Sequence, residues 1–189
     1  MSCISHFWPS GSGQDSIIEK LAESLPIERV ITMTTRPARP GESNGHPYHF
    51  VTRDVFEEKC KQKAFLEYAR HYGGEYYGVT QEEVERVRHS GKVGIWKVDW
   101  QGVRNIKALF PDMPAILITA PASVLEARLR RRDPERSEAS LAERMAYSRE
   151  YEAHHDLYDF VVENEDGHLD EAVSRVSAIL VEYLKKVSA

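Results

Sequence analysis

A glycine-rich segment near the start of the chain limits the possible folds more than any other feature. Residues 8–16 read W-P-S-G-S-G-Q-D-S, and Ile17, Ile18, Leu21 and Leu25 follow at a roughly helical period. Glycines let successive backbone N–H groups face an anion, and a helix N-terminus adds positive potential. The segment therefore predicts a phosphate-binding loop between a strand and a helix. The residues assigned to this loop are Ser10, Gly11, Ser12, Gly13, Gln14, Asp15 and Ser16.

The loop departs from the full phosphate-loop pattern at three positions. That pattern is Gly, four free residues, then Gly-Lys-Ser/Thr. This chain has Trp8 in place of the first glycine, Gln14 in place of the lysine and Asp15 in place of the hydroxyl residue. An ordinary glycine-rich turn, with Asp15 capping the following helix, explains the same residues. Both interpretations stay open from this segment alone.

Composition excludes several classes of protein. A length of 189 residues predicts one domain, or one core with small inserts. The net charge of −5 argues against nucleic acid or an anionic membrane as the main partner. No apolar run reaches membrane-spanning length. Two cysteines, Cys3 and Cys60, are too few for a disulfide framework, which predicts a reducing cytoplasm. We expect a monomer or a homodimer.

Strand and helix patterns alternate along the chain. The predicted strands span 3–7, 29–33, 93–100, 115–119 and 160–162. The predicted helices after the loop helix span 54–61, 81–89, 125–132 and 169–187. This order predicts an α/β fold whose mostly parallel sheet has helices on both faces. The prolines and glycines of residues 34–50 predict irregular structure there.

Charged residues mark two further candidate sites. Arg36 and Arg39 lie three apart on the proline-rich segment, a spacing that suits bidentate phosphate contact, although solvated arginines are the ordinary alternative. Asp99 ends a buried strand, where a magnesium-organising carboxylate belongs in phosphate-loop proteins. The most basic region contains Arg128, Arg130, Arg131, Arg132, Arg136 and Arg144.

Several motifs in fixed order resemble the guanylate kinase family over nearly the whole chain. They are T-T-R-P-A-R-P-G-E-S-N-G-H-P-Y-H-F, F-L-E-Y-A, Y-Y-G-V-T, V-D-W-Q-G-V and the arginine-rich segment near Arg128. The resemblance implies a single domain with a parallel-sheet phosphate-loop kinase core at 1–32 and 81–189. It also implies a small GMP-binding insert at about 33–80 and an arginine-rich lid at about 127–146.

The same resemblance implies roles for individual residues. The implied GMP site consists of Thr32, Arg36, Arg39, Tyr48, Glu67, Tyr77 and Thr80. Within it, Glu67 would accept hydrogen bonds from the guanine N1–H and 2-amino groups, and Val79 stands where the family has a serine. The implied catalytic residues are Lys97, Asp99, Arg128, Arg132 and Arg144. Asn164 would lie near the adenine of ATP, and Asp15 and Asp99 would hold Mg²⁺.

Lys97 replaces the first carboxylate of the family's D-x-D strand. The charge changes at Gln14, Asp15 and Lys97, taken against the family pattern, cancel. We therefore expect the Lys97 ammonium where the loop lysine's ammonium would otherwise lie. A plain ion pair with a nearby carboxylate is the alternative.

Two functions follow from these residues. The first is a kinase that moves a phosphoryl group from a nucleoside triphosphate to GMP or a related nucleotide, weakly if Lys97 does not compensate for the loop. The second is a catalytically inactive module that binds a nucleotide or a phosphorylated partner at the GMP site. The first implies ATP and Mg²⁺ as cofactors, and small-molecule nucleotides as partners.

Overall fold

The computed structural model of this chain describes residues 3–7, 11–135 and 137–188. Trp8, Ser10 and Arg136, which the sequence singled out, lie outside the described residues. No helix in the described ranges is long and apolar enough to cross a membrane.

The described residues form two sheets with helices around them. The strands are β1 (Cys3–Phe7), β2 (Ile27–Val30), β3 (Met33–Thr34), β4 (Ser43–Asn44), β5 (Pro47–Phe50), β6 (Phe65–Arg70), β7 (Tyr76–Thr80), β8 (Val93–Val98), β9 (Ala115–Thr119) and β10 (Phe160–Glu163). The helices are α1 (Gln14–Ser24), α2 (Arg53–Lys61), α3 (Gln81–His89), α4 (Trp100–Leu109), α5 (Ala122–Arg132), α6 (Glu138–Ala153) and α7 (Leu169–Ser188). Single 3₁₀ turns lie at Tyr72–Gly74 and His155–Leu157.

The first sheet has the strand order β10-β9-β1-β8-β2, and each neighbouring pair is parallel. Side chains of a strand alternate between its faces, so Ile95 and Trp96 of β8 point in opposite directions. Ile95 packs in one buried cluster with Ile17 and Leu21 of α1. Trp96 packs in another with Val87 of α3. The α/β fold with a parallel sheet and helices on both faces is therefore confirmed.

The second sheet is built entirely from residues 33–80 and has the order β4-β5-β3-β7-β6. Its helix, α2, contributes the fully buried Phe56, whose ring stacks on Phe65 at 4.3 Å and on Tyr76 at 5.4 Å. Strands β4 and β5 lie inside the segment predicted to be irregular, so that prediction was wrong there. Pairing with neighbouring strands outweighs the weak strand propensity of this proline-rich segment.

Strand β8 ends at Val98, two residues before the predicted end. The next residue, Asp99, accepts a hydrogen bond from the Gly102 N–H at 2.8 Å and caps α4. Helix α4 passes so close to β8 that a Cβ on Gly102 would lie 2.6 Å from the Val98 Cβ. The early turn thus places the Asp99 carboxylate at the end of the parallel strand, beside the opening between the two sheets.

Candidate functional site

A cavity of about 120 Å³ lies between α1, the end of β8, the second sheet and helices α5 and α6. Open α/β sheets bind ligands beyond the carboxyl ends of their strands, and this cavity lies at such an end. The predicted site residues that line it are Gln14, Asp15, Thr32, Arg36, Arg39, Tyr48, Glu67, Tyr77, Lys97, Asp99, Arg132 and Arg144. We refer to it as the first cavity.

One wall of the first cavity carries a fixed guanidinium. Arg36 forms a two-point contact with Glu42, with Nη1 2.9 Å from Oε2 and Nη2 3.0 Å from Oε1. The backbone N–H of Arg39 donates to Glu42 Oε2 at 2.7 Å. The Arg36 guanidinium also lies 5.5 Å from the ring centroid of Tyr48. These contacts hold Arg36 in one orientation beside Arg39, and the two can bind a dianionic phosphate. Sequence reasoning missed Glu42, although it lies six residues after Arg36.

Glu67 presents a buried carboxyl group on another wall. It belongs to β6 and is 6% exposed. Burial, followed by the negative charge of Asp99, raises the pKa of Glu67 to about 8. Thr32 lies on the same cavity, and its hydroxyl donates to the Lys97 carbonyl oxygen at 3.4 Å. An ionised carboxylate here can accept two parallel N–H groups, as a guanine edge would present them.

Asp99 is surrounded by protein donors. Besides the Gly102 N–H, its Oδ2 accepts from the Tyr147 hydroxyl at 2.6 Å, and His71 Nε2 lies 3.0 Å from the same oxygen. Burial lowers the pKa of His71, which favours a neutral imidazole that donates one N–H to this carboxylate. Sequence reasoning missed both partners. Tyr147 could have been found, because it follows Arg144 by three residues on α6 and so shares its helix face.

Asp15 joins the loop helix to the first sheet through two cations. Lys97 Nζ lies 3.2 Å and 3.1 Å from its two carboxylate oxygens, and Arg29 Nη1 lies 2.9 Å from Oδ1. Arg29 pairs with Ile95 in the sheet, and Lys97 lies two residues beyond Ile95, so both cations share the face that packs on α1. Burial raises the pKa of Asp15, but the charges of Lys97 and Arg29 outweigh it and hold the pKa well below its usual range. Sequence reasoning missed Arg29, whose only signal was a charge inside a strand.

The predicted magnesium ligands, Asp15 and Asp99, are both paired with protein groups. Asp15 is paired with two cations, so a divalent ion at this carboxylate would meet positive charge. Asp99 is 2% exposed and already accepts from Tyr147 and Gly102. Within the described ranges, no group of three or more His, Cys, Asp or Glu residues could hold a metal. Both carboxylates are thus already paired with protein groups, and their assignment to Mg²⁺ stays a prediction.

A second cavity, of about 410 Å³, lies beside the loop and the start of α1. Its walls include Gly11, Gly13, Ser16, Arg128, Arg131, Arg132, Asn164 and Asp166. Arg128 forms an ion pair with Asp166 at 2.8 Å and donates from Nη1 to the Gly11 carbonyl oxygen at 3.3 Å. Arg132 lines both cavities, so it lies between them.

Asn164 is attached directly to the loop. Its Nδ2 donates to the Ser12 carbonyl oxygen at 2.6 Å, and Ser12 is fully buried. Gly13 has a φ of +85°, and a Cβ there would collide with the Asn164 amide. Glycine is therefore required at this position by both its backbone conformation and the close approach of Asn164.

Thr80 and Val79 do not reach the first cavity. The Thr80 hydroxyl accepts from the Glu83 N–H at 3.2 Å and caps α3. Val79 is fully buried in the cluster that contains Trp96. The assignment of Thr80 to GMP binding stays a prediction, because in this structure its hydroxyl caps α3 and the residue does not line the first cavity.

Comparisons with known proteins agree on one family. The model of the guanylate kinase family matches residues 7–183. Guanylate kinase from Methylococcus capsulatus is 38% identical over 174 residues, covering 91% of this chain and 83% of that protein. Guanylate kinase from Escherichia coli strain K12 is 36% identical over 176 residues, with 91% and 83% covered. The crystal structure of guanylate kinase from Anaplasma phagocytophilum superimposes with a TM-score of 0.74 at 28% identity, covering 95% of this chain and 84% of that one.

Proposed function

We propose, because this chain belongs to the guanylate kinase family, that it transfers the γ-phosphoryl group of ATP to GMP. ATP would arrive as its Mg²⁺ complex, so that the metal enters as part of the donor substrate. The observation that carries the proposal is the first cavity, in which a buried carboxyl group and two arginines lie beside the phosphate loop. Such a transfer needs a residue that recognises the guanine base, residues that bind the phosphate of GMP, and a loop that binds the phosphates of ATP.

On the acceptor side, we assign the base to Glu67 and the phosphate to Arg36 and Arg39. Glu67 is buried and has no cationic side chain as a partner in the described structure. Two N–H donors of guanine would therefore stabilise its ionised form, because a buried charge is costly without such partners. Arg36 is held by Glu42 and needs no rearrangement to meet a phosphate. Tyr48 and Tyr77 lie beside Arg36 with ring centroids 5.8 Å apart, where their hydroxyls can add to the phosphate contact.

On the donor side, we assign the triphosphate to the loop backbone and the base to the second cavity. Phosphoryl transfer is mostly positioning and charge stabilisation, so the protein must hold the two phosphates in line. Arg132 lines both cavities and is our candidate for contact with the group in transit, and Arg144 lines the first. Arg128 lines the second cavity and would hold the donor. Asn164 would lie near the adenine.

We also propose the boundaries of the moving parts. The second sheet, residues 33–80, would be the GMP-binding insert. The lid would consist of residues 127–146, which run from the second half of α5 into the first half of α6. It would bring Arg132 and Arg144 to the phosphates. Closure of both on the core would exclude water from the reaction.

Nucleotide selectivity tests the acceptor assignment. We expect GMP to bind at least tenfold more tightly than AMP, because the adenine edge lacks the N1–H and 2-amino donors that Glu67 can accept. Calorimetry with each nucleotide alone measures this, and GDP formation from GMP and ATP–Mg²⁺ measures transfer. Equal binding of AMP would refute the guanine assignment. GMP binding without any GDP formation would instead favour the inactive binding module.

The pKa of Glu67 predicts a pH dependence of GMP affinity. The binding form is the carboxylate, and the pKa in the free protein is raised to about 8. Affinity should therefore rise with pH, by about fivefold between pH 7 and pH 8, and level off above the pKa. Calorimetry across pH 6.5–8.5 measures the change, and Glu67→Gln should flatten it. A constant GMP affinity of the native chain across this range would contradict the proposal that the ionised Glu67 carboxylate binds the guanine base.

A further inference from the structure

The phosphate loop lacks its own lysine, but two cations lie beside it. Gln14 occupies the lysine position, and Asp15 follows it at the start of α1. Lys97 and Arg29 reach this carboxylate from two neighbouring strands of the first sheet. We refer to Asp15, Lys97 and Arg29 as the loop ion cluster. Two cations and one anion leave it a net charge of +1, the charge that a loop lysine would supply.

The cluster is more than a neutral surface ion pair. The side chains of Lys97 and Arg29 are only 12% and 19% exposed, so their charges are poorly screened by solvent. Within the described residues, Nη2 of Arg29 is buried and has no hydrogen-bond partner. Buried polar groups are nearly always hydrogen-bonded, and a buried cation in excess requires an anion. Arg29 lines neither cavity, whereas Lys97 lines the first, so the surplus charge points to an anionic ligand beside Lys97.

Lys97 lies where the two substrates would meet. Its Nζ is within 3.2 Å of Asp15 on the loop helix and 5.4 Å from the ring centroid of Tyr48 in the second sheet. It lines the first cavity together with Gln14. An ammonium has three N–H donors, so a bidentate contact with Asp15 leaves at least one for a ligand. Lys97 thus sits between the loop and the acceptor phosphate site.

We propose that Lys97, oriented by Asp15 and Arg29, supplies the ammonium that stabilises the transferring phosphoryl group in place of a loop lysine. Lys97 is the catalytic residue, and Asp15 and Arg29 are positioning residues that act through it. The inference rests on the proposed phosphoryl transfer. Lys97 lies near the end of β8 and Asp15 holds its ammonium, and such preorganisation is what charge stabilisation requires.

Lys97→Ala and Gln14→Lys, singly and together, test the catalytic role. Lys97→Ala should lower kcat about a hundredfold, the usual cost of removing one preorganised donor. Its GMP affinity should stay within about threefold of native, which also shows that the variant is folded. The gain from Gln14→Lys should be at least tenfold larger in the Lys97→Ala background than in the native chain, because the two ammonium groups compete for one site. Lys92→Ala, which removes an exposed lysine paired with Glu28, is the matched control and should leave kcat unchanged.

Asp15→Asn tests the positioning role. It should lower kcat about tenfold and leave the GMP KM unchanged, because Lys97 loses its anchor while the acceptor site stays intact. A rise in kcat or in ATP affinity would mean that Asp15 blocks Lys97, and would overturn the inference. So would a Lys97→Ala variant with lowered thermal stability and native kcat, or a large gain from Gln14→Lys in the native chain.

A binding measurement separates this inference from the proposed function. If GMP binds but the native chain forms no GDP, the transfer proposal fails. Calorimetry with inorganic tripolyphosphate and with ATP–Mg²⁺ then tests whether Lys97 binds an anion at the loop. Under the inference, Lys97→Ala weakens tripolyphosphate binding at least tenfold. No effect of Lys97→Ala, or no binding by the native chain, refutes the anion site whatever the acceptor result.

Discussion

Glu67→Gln is expected to raise the GMP KM at least a hundredfold. The carboxylate would accept two charge-assisted hydrogen bonds, each worth about 1.5–3 kcal/mol, and a buried site has no water to replace them. Glutamine has the same shape, but its amide nitrogen would face one of the guanine donors without an acceptor. Steady-state kinetics with GMP varied at saturating ATP–Mg²⁺ would measure the change. Because Glu67 is 6% exposed, the amide of the substituted glutamine cannot reach solvent to replace the lost hydrogen bonds with water.

IMP provides an independent check on the same residue. It keeps the N1–H and lacks the 2-amino group, so the native chain should bind it about 10- to 100-fold less tightly than GMP. In Glu67→Gln this difference should shrink to within about threefold. The matched control is Glu83→Gln, which alters a carboxylate of equal exposure, 6%, whose partners are the Ile31 N–H and Arg86. Glu83→Gln should lower stability and keep the preference for GMP. A preference for GMP over IMP that survives Glu67→Gln would remove Glu67 from the base site.

Arg36→Ala is expected to raise the GMP KM about a hundredfold. Arg36 would offer two N–H groups to the phosphate from a guanidinium that Glu42 already holds in place. Arg36→Lys should recover little of the loss, because a point charge cannot reproduce the planar two-point contact. Calorimetry with guanosine separates phosphate contact from general damage. Guanosine lacks the phosphate, so its affinity should be unchanged in Arg36→Ala, whereas Glu67→Gln should weaken guanosine and GMP alike.

Arg53→Ala is the control for Arg36→Ala. Arg53 also lies over an aromatic ring of the second sheet, 5.2 Å from the Tyr76 centroid, but its side chain is 54% exposed and outside the first cavity. Its removal should leave the GMP KM within about twofold of native. If Arg36→Ala weakened guanosine as much as GMP, the effect would come from disruption of the Arg36–Glu42 loop, and the phosphate assignment would be wrong.

The sequence by itself determined the fold class, the family and most of the element order. Helix α3 and strand β9 were predicted at their observed bounds, because hydrophobic periodicity and caps are local signals. The same local signals failed at β4 and β5, where proline and glycine hide the pairing of β4 with β5 and of β5 with β3. Three residues of the implied GMP site lie in motifs that resemble the family's, and the structure brings them to one cavity. They are Glu67, Arg36 and Arg39.

Only the tertiary structure decided what the polar groups touch. The sequence left Asp15 open as a helix cap, a metal ligand or a partner of Lys97, and these two residues are 82 positions apart. Their ion pair, together with Arg29, depends on the register of β2 against β8 and on where α1 crosses the sheet. Thr80 shows that a family motif does not fix the contact of each of its residues. It lies in the Y-Y-G-V-T motif, but its hydroxyl caps the helix that follows. Local patterns specify which elements form, whereas the partner of a charge is set by the packing of elements that are distant in the chain.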